Sequence, residues 1–274
     1  MKARKIMHAY LVVLYRQEFD ESVAFTVILE HAKPSDVIFV YDNSPLPRKN
    51  VPEDQRIQYI HDSQNSGLAV AYNYVANECI AKNIQWLTIF DQDTQIPLNF
   101  FITIEQAISN SHATCIVPKV ILGNNEPLSP FFIEDRLFIR THVGSNKTLA
   151  AINSGVTVDL TKLKQIGSSI FDNSFPLDFL DYSFFLNLAR HQCEINQMGS
   201  TIIQDLSVTN FKTMSFKRFQ SFVLAESRFV NLYYPERKRE YHVRVVLRAI
   251  KAMLKGTQRD KVELMWRVGF GGRN

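Results

Sequence analysis

The stretch WLTIFDQDTQIP, Trp86–Pro97, decides how the chain is read. Trp86 to Phe90 are large apolar or β-branched residues, the length and composition of a buried strand. Asp91 and Asp93 follow at once, and Pro97 stops the extended segment. An acidic N-cap for the next helix would account for one carboxylate but not for two that repel each other. A pair at a strand end suits a hard divalent cation, Mg2+ or Mn2+. Such an ion takes one or two protein carboxylates and fills its other positions with phosphate oxygens and water.

Upstream, strand-like and helix-like segments alternate. HAYLVVLY, His8–Tyr15, reads as a buried strand, and a helix runs from about Asp20 to Ala32 with Asp20 or Ser22 as N-cap. Val37–Tyr41 is a second strand, ending in the turn-forming Asp42-Asn43-Ser44-Pro45. RIQYIHD is a third, followed by the loop and helix of NSGLAVAYNYVANECIA. This alternation predicts an α/β fold with a mainly parallel central sheet flanked by helices. Arg16, Asp42, Asn43, Asp91 and Asp93 then share the carboxyl edge of the strands, where open α/β sheets bind ligands. Asp42 could accept a hydrogen bond from a nucleobase or ribose there, or simply close an Asx-turn. Residues Cys115 to Val158 read as an irregular or antiparallel section, and helical spacing resumes at DYSFFLNLARH.

The 274 residues suffice for one large α/β domain with an appendage. Three widely spaced cysteines, Cys79, Cys115 and Cys193, argue against a disulfide framework or zinc site and suit a reducing compartment. The apolar run from Ala9 to Tyr15 is too short for a signal-peptide core or a membrane span. The net charge of +4 is uneven: residues 235–274 carry a local +7 and the remainder −3.

Four motifs occur in order over about ninety residues: LVVLY, then Asp42-Asn43-Ser44, then Asn65-x-Gly67-x-Ala69-x-Ala71-x-Asn73, then Asp91-Gln92-Asp93-Thr94. In this the chain resembles family 2 glycosyltransferases of the GT-A fold, in particular the bacterial rhamnosyltransferase-like branch. The resemblance continues through Ser154-Gly155 and LDFLDYSFFLNLARHQCEI to the segment around Arg228, covering roughly His8 to Tyr234. It implies a GT-A domain over residues 1–234 and a helical tail over 235–274. Tyr15, Asp42, Asn65, Gly67, Asn73, Asp91, Ser154 and Gly155 would bind the nucleotide-sugar. Asp93 and Asp91 would hold the metal, Asp181 would be the catalytic base, and Asp178 and Arg228 would lie on the acceptor side. Arg16 stands where the family usually has Asn, Ser183 where an acidic residue follows the base, and Asn187 where an Arg is usual. In place of a family His that helps hold the metal or diphosphate, the chain offers Asp205.

The implied reaction is metal-dependent inverting transfer of a hexosyl or rhamnosyl-type sugar from a nucleoside-diphosphate sugar to a saccharide, lipid-linked or free. Its setting would be bacterial cell-surface polysaccharide synthesis. The alternatives are a catalytically silent scaffold that keeps the fold, and a nucleotidyltransferase. The latter is disfavoured because no Gly-rich, basic phosphate loop follows the first strand. The location implied is the cytoplasm or the inner face of the cytoplasmic membrane.

The tail segment YHVRVVLRAIKAMLKG predicts a basic amphipathic helix. Val243, Val246, Leu247, Ile250, Met253 and Leu254 form its apolar face, and Arg244, Arg248, Lys251 and Lys255 a basic one. The apolar side either packs on the protein or docks on an anionic bilayer. The basic residues lack aromatic interleaving, which argues against nucleic acid.

Overall fold

The computed structural model describes residues 7–133, 140–141, 148–167, 169–204 and 214–271. They form two compact units, one of residues 1–133 and 141–205, the other of 134–140 and 206–274.

The first unit opens with β1 (His8–Leu14), α1 (Val23–His31), β2 (Val37–Asp42), β3 (Ile57–His61), α2 (Leu68–Ala81), β4 (Trp86–Asp91) and α3 (Asn99–Asn110). Seven consecutive buried residues make β1 a central strand with both faces covered. Ser22 caps α1 through its side chain, and the helix ends at His31. β5 (Cys115–Ile121) leads into the short strands β6 (Pro127–Ser129), β7 (Phe131–Ile133), β8 (Arg140–Thr141), β9 (Thr148–Ala150) and β10 (Thr157–Asp159). The unit closes with α4 (Leu160–Ile166), α5 (Leu180–Arg190) and β11 (Ile195–Ile203).

Eight strands make one sheet in the order β11-β5-β10-β4-β1-β2-β3, with β6 beside β5, and β8-β7-β9 make a second, small sheet. β1 runs parallel to β2 and β4, and β2 to β3. β10 is antiparallel to both its neighbours, β4 and β5, while β11 runs parallel to β5. The sheet is therefore mixed around a parallel core, and the antiparallel character expected between Cys115 and Val158 is present. Leu14 pairs with Asp42, Val13 with Asp91, and Asp42 with His61, so four strand ends share one row. Because β10 runs the other way, its entry at Ser154-Gly155 meets that same edge, as does the exit of β11.

Within the buried core of this unit a polar chain crosses three strands. His8 Nε2 meets Thr88 Oγ1 at 2.7 Å, and Thr88 meets Thr157 Oγ1 at 2.7 Å. Burial holds the His8 imidazole far down, at a pKa of about 3, with Lys33 adding to the effect.

The second unit contains α6 (Phe216–Tyr233), a 3-10 turn at Pro235–Arg237, α7 (Lys238–Leu254) and α8 (Arg259–Gly269). Its core joins Phe219, Val223 and Val230 of α6 to Tyr241, Val245 and Ala249 of α7 and Val262, Leu264, Met265 and Val268 of α8. The division after residue 205 differs from the one expected at 234/235. The apolar face of α6 is spent on α7 and α8, so α6 belongs with the tail helices.

The tail reading also changes. The residues that α7 buries are Tyr241, Val245 and Ala249, whereas Val243, Leu247, Met253 and Leu254 of the expected apolar face are exposed. Arg248 is drawn inward instead. Its guanidinium forks onto buried Glu226 at 2.8 and 3.0 Å, and Tyr241 OH donates to the same carboxylate.

Candidate active site

Asp91 is the last residue of β4 and half-buried, and Asp93 lies exposed two residues on. Three polar groups fix the turn between them. Asp91 N–H donates to Ser154 Oγ at 3.2 Å, Thr94 and Ser154 hydroxyls meet at 2.5 Å, and Gln204 Nε2 donates to Asp91 Oδ2 at 2.5 Å. Gly155 N–H donates to Ile89 O at 2.7 Å, and Gln95 and Ile203 exchange backbone bonds. The Asp91 carboxyl is pushed up to about 6, first by burial and then by Asp93 and Asp181, against the lowering effect of the Gln204 amide. Asp91 therefore feels both of the other carboxylates.

Asp181 sits in the first turn of α5, one residue past its start. The cap is Phe179, a non-glycine residue held at φ 65°, ψ 8°, with no side-chain capping bond. Phe179 is buried, and this left-handed conformation aims the chain into the helix. Asp181 Oδ1 accepts from Tyr182 N–H at 2.9 Å. Ser183 is buried and donates to Leu180 O at 2.9 Å, an internal helix contact. Asp178 is half-buried just ahead of Phe179.

The Asn65–Asn73 motif seats the segment that leads into α5. Gly67 has φ +98°, and a Cβ on it would stand 2.6 Å from Pro176 O, so only glycine allows this approach. Leu68 N–H donates to Pro176 O at 2.6 Å. Ala69 and Ala71 are fully buried. Asn73 then clamps Phe171 from both sides: Nδ2 donates to Phe171 O at 2.7 Å and Oδ1 accepts from Phe171 N–H at 3.0 Å. Expected among the nucleotide-sugar contacts, its amide is committed to the chain itself. Asn65, at φ 50°, closes the preceding turn, where the Asp62 carboxylate accepts from Gln64 and Ser66 N–H.

Asp42 is fully buried at the end of β2. Its Oδ1 accepts from Ser44 N–H at 2.9 Å and its Oδ2 from Tyr59 OH at 2.7 Å, with Arg48 Nε at 3.5 Å. The Asx-turn and the strand-end carboxylate are one structure. Tyr15 is exposed, its N–H donates to Gln92 Oε1 at 2.7 Å, and the Arg16 guanidinium lies 5.1 Å over its ring. Arg16, at φ 57°, donates its N–H to Ser44 Oγ and ties β1's exit to β2's.

Tyr15, Asp42, Asn65, Gly67, Asp91, Asp93, Ser154, Gly155 and Asp181 thus lie in the first unit, at strand ends on the carboxyl edge or in the loops and helix starts that leave it. Arg228 is on α6 in the second unit. Asp205 lies outside the described residues. Sequence reasoning missed Gln204 and Tyr72. Gln204 was one position from the residue chosen and carries no spacing signal. Tyr72 sits on α2 with its hydroxyl buried and without a hydrogen-bond partner among the described residues. Its ionisation is pushed far up by burial and by Asp91 and Asp181.

No group of three or more His, Cys, Asp or Glu able to hold a metal ion occurs among the described residues. Asp91 and Asp93 nonetheless fit a shared site. Their oxygens are hard donors, and a cation beside Asp91 would offset the burial, and the lesser effect of Asp93 and Asp181, that raise its carboxyl. A diphosphate would complete the coordination.

The fold is of the GT-A type. GalNAc-T7 with UDP, GalNAc and Mn2+ superposes with a TM-score of 0.62 at 11% identity, covering 88% of this chain and 51% of that one. Staphylococcus aureus TarS 1-349 in complex with UDP gives 0.52 at 11% identity over 96% of this chain and 90% of that one. A second structure of S. aureus TarS gives 0.51 at 11% identity, covering 86% of this chain. The chain spans about half the length of the first and the last of these. Residues 24–156 match the family described as Glycosyl transferase family 2. That stretch carries Asp42, the Asn65–Asn73 motif, Asp91, Asp93 and Ser154-Gly155, and ends before Asp181. No curated protein matches the chain in sequence.

Proposed function

We propose that the chain is a metal-dependent, inverting glycosyltransferase that moves a sugar, of hexosyl or rhamnosyl type, from a nucleoside-diphosphate sugar to a saccharide acceptor. The setting is bacterial cell-surface polysaccharide synthesis. The observation that carries this reading is the Asp91/Asp93 pair at the carboxyl edge of a parallel core, inside the stretch that matches family 2, with Asp181 near enough to help raise the Asp91 carboxyl.

Asp93 with Asp91 would hold Mg2+ or Mn2+, which would supply Lewis-acid stabilisation of the departing diphosphate. Gln204 and Ser154 orient Asp91. Asp181 takes the proton of the acceptor hydroxyl as that oxygen attacks the anomeric carbon and the sugar's bond to the diphosphate breaks. The first turn of α5 favours a negative charge at Asp181. One displacement inverts the anomeric centre.

UDP, which the GalNAc-T7 and TarS 1-349 structures hold, is the nucleotide to try first. The test is a thermal-shift screen of nucleotide sugars with and without Mn2+, followed by release of nucleoside diphosphate from the best one. Metal-dependent stabilisation and slow hydrolysis are expected, both lost in Asp93→Ala. Binding without any turnover, with or without saccharide acceptors, would make the chain a silent scaffold.

A further inference from the structure

α7 has three faces rather than two. One, Tyr241, Val245 and Ala249, is buried in the helical unit. A second holds the cations Arg244, Lys251 and Lys255. The third, at the helical spacing 243, 247, 250, 254, is apolar and open to solvent: Val243 and Leu247 are each 59% exposed and Leu254 79%, with Ile250 half-buried. α8 ends beside this stripe. A Cβ on Gly269 would stand 2.7 Å from Val246, and one on Gly271 would stand 3.4 Å from the His242 ring, so close are the two helices. Phe270, between those glycines, is 76% exposed and stacks on Trp266 at 5.5 Å.

We propose that this stripe, with Phe270, docks the protein on an anionic bilayer surface. Three observations choose that occupant. A row of aliphatic side chains with an adjoining exposed aromatic ring suits the boundary between headgroups and acyl chains. The bordering strip is basic, and residues 235–274 carry +7 while the rest of the chain carries −3, so the attraction is local to this unit. A second copy on the same stripe would bring the Arg244, Lys251 and Lys255 strips of two molecules together, like charge against like. Arg248 takes no part, because its guanidinium is committed to Glu226. Arg244 pairs with Glu240 at 2.6 Å on the surface, a contact weak enough to yield to a lipid headgroup. No helix among the described residues is long and apolar enough to cross a membrane, so the contact would be peripheral. The proposal does not depend on the catalytic reading.

The test is co-sedimentation of the full chain with phosphatidylcholine vesicles, with or without phosphatidylglycerol. Binding is expected on the phosphatidylglycerol vesicles at low salt and should be lost at high salt. Leu247→Ser with Leu254→Ser changes two exposed positions, so it should keep the melting temperature yet weaken binding by roughly tenfold or more. Lys251→Gln with Lys255→Gln should weaken it by about 25-fold, roughly fivefold per cation. Failure of the wild-type chain to bind at low salt overturns the proposal, as does full binding by the Leu247/Leu254 variant. Equal binding to pure phosphatidylcholine removes the anionic selectivity and overturns it too. A dimer in sedimentation velocity that the Leu247/Leu254 variant abolishes assigns the stripe to a second copy instead.

Discussion

Gln204, just past the end of β11, donates its side-chain amide to the Asp91 carboxylate at the end of β4, 113 residues earlier in the chain. The topology makes this contact. β10 lies antiparallel between β4 and β5, so β4, β5 and β11 point the same way and their ends share an edge. The bond holds Asp91 at about 6 against burial and two neighbouring carboxylates. Gln204→Leu removes the donor, so the Asp91 pKa should climb further. Mn2+-dependent UDP binding by that variant should then fall short of wild type more at about pH 6 than at about pH 8. Calorimetry at the two pH values checks this, and a loss equal at both would assign Gln204 a purely steric part.

Asp93 is the exposed member of the pair. Asp93→Ala should abolish metal-dependent binding of a nucleoside diphosphate and shift the melting temperature little, since surface changes are usually within about 0.5 kcal/mol. Unchanged metal-dependent affinity in calorimetry would remove Asp93 from the metal site.

Asp181→Asn keeps the size of the side chain and its acceptor for Tyr182 N–H but cannot take a proton. Turnover should drop by roughly 10²–10⁴, the usual worth of a general base, with donor affinity near wild type. If donor binding falls in proportion to turnover, Asp181 shapes the donor site rather than serving as base.

Much of this was legible in the sequence because it is written in local patterns. The apolar runs of β1, β2 and β4 announce themselves, the sequence narrows the cap of α1 to Asp20 or Ser22, of which the helix uses Ser22, and the DQD motif marks a strand end wherever the strand lies. The partners of that motif were not legible. Ser154 and Gln204 reach Asp91 because a single strand reverses direction, and no local pattern records that choice. The role of Asn73 was likewise hidden, since an amide on a helix gives no sign that its partner is the backbone of Phe171. The tail shows a different failure. Helical spacing identified an apolar stripe on α7 but not which face was inward. Burial there follows the small or aromatic Tyr241, Val245 and Ala249 and the Arg248–Glu226 pair.

Burial of His8 has a consequence for acid stability. Its folded pKa, about 3, lies below the unfolded value of 6.5, so the unfolded chain binds more protons between those limits. Stability from this group is fully present above about pH 6.5 and is lost as pH falls toward 3. Asp91 acts in the opposite sense. Its raised pKa makes the folded apo chain lose stability as pH rises from about 4 to about 6. His8→Gln should therefore lessen the fall in melting temperature on acidification below about pH 6, and Asp91→Asn should raise the melting temperature of the metal-free chain at neutral pH. Melting curves in chelator across this range read both effects.

The Asn65–Asn73 motif makes the sharpest test of how the site is held. Gly67 and Asn73 grip Pro176 and Phe171, and Phe171 stacks on Phe184 of α5 at 4.8 Å, so the motif reaches the helix that carries Asp181. Gly67→Ala adds a Cβ 2.6 Å from a backbone oxygen at φ +98°. That backbone region, φ +98° with ψ 173°, is essentially glycine-only and costs any other residue about 1–3 kcal/mol, and Pro176 must shift as well. Asn73→Ala leaves the Phe171 N–H without its amide partner, at roughly 1–3 kcal/mol if it stays buried and unsatisfied, while the Phe171 C=O keeps the Ser169 hydroxyl. Both changes should therefore displace the lead into α5. The expected kinetic signature is a fall in kcat that exceeds the change in donor affinity, because the base moves while Asp91, Ser154 and Gln204 stay in place. A direct nucleotide contact by Asn73 predicts the reverse, weaker donor binding with kcat retained at saturation. Donor affinity by calorimetry, set beside kcat for Asn73→Ala at a temperature well below its melting point, separates the two roles.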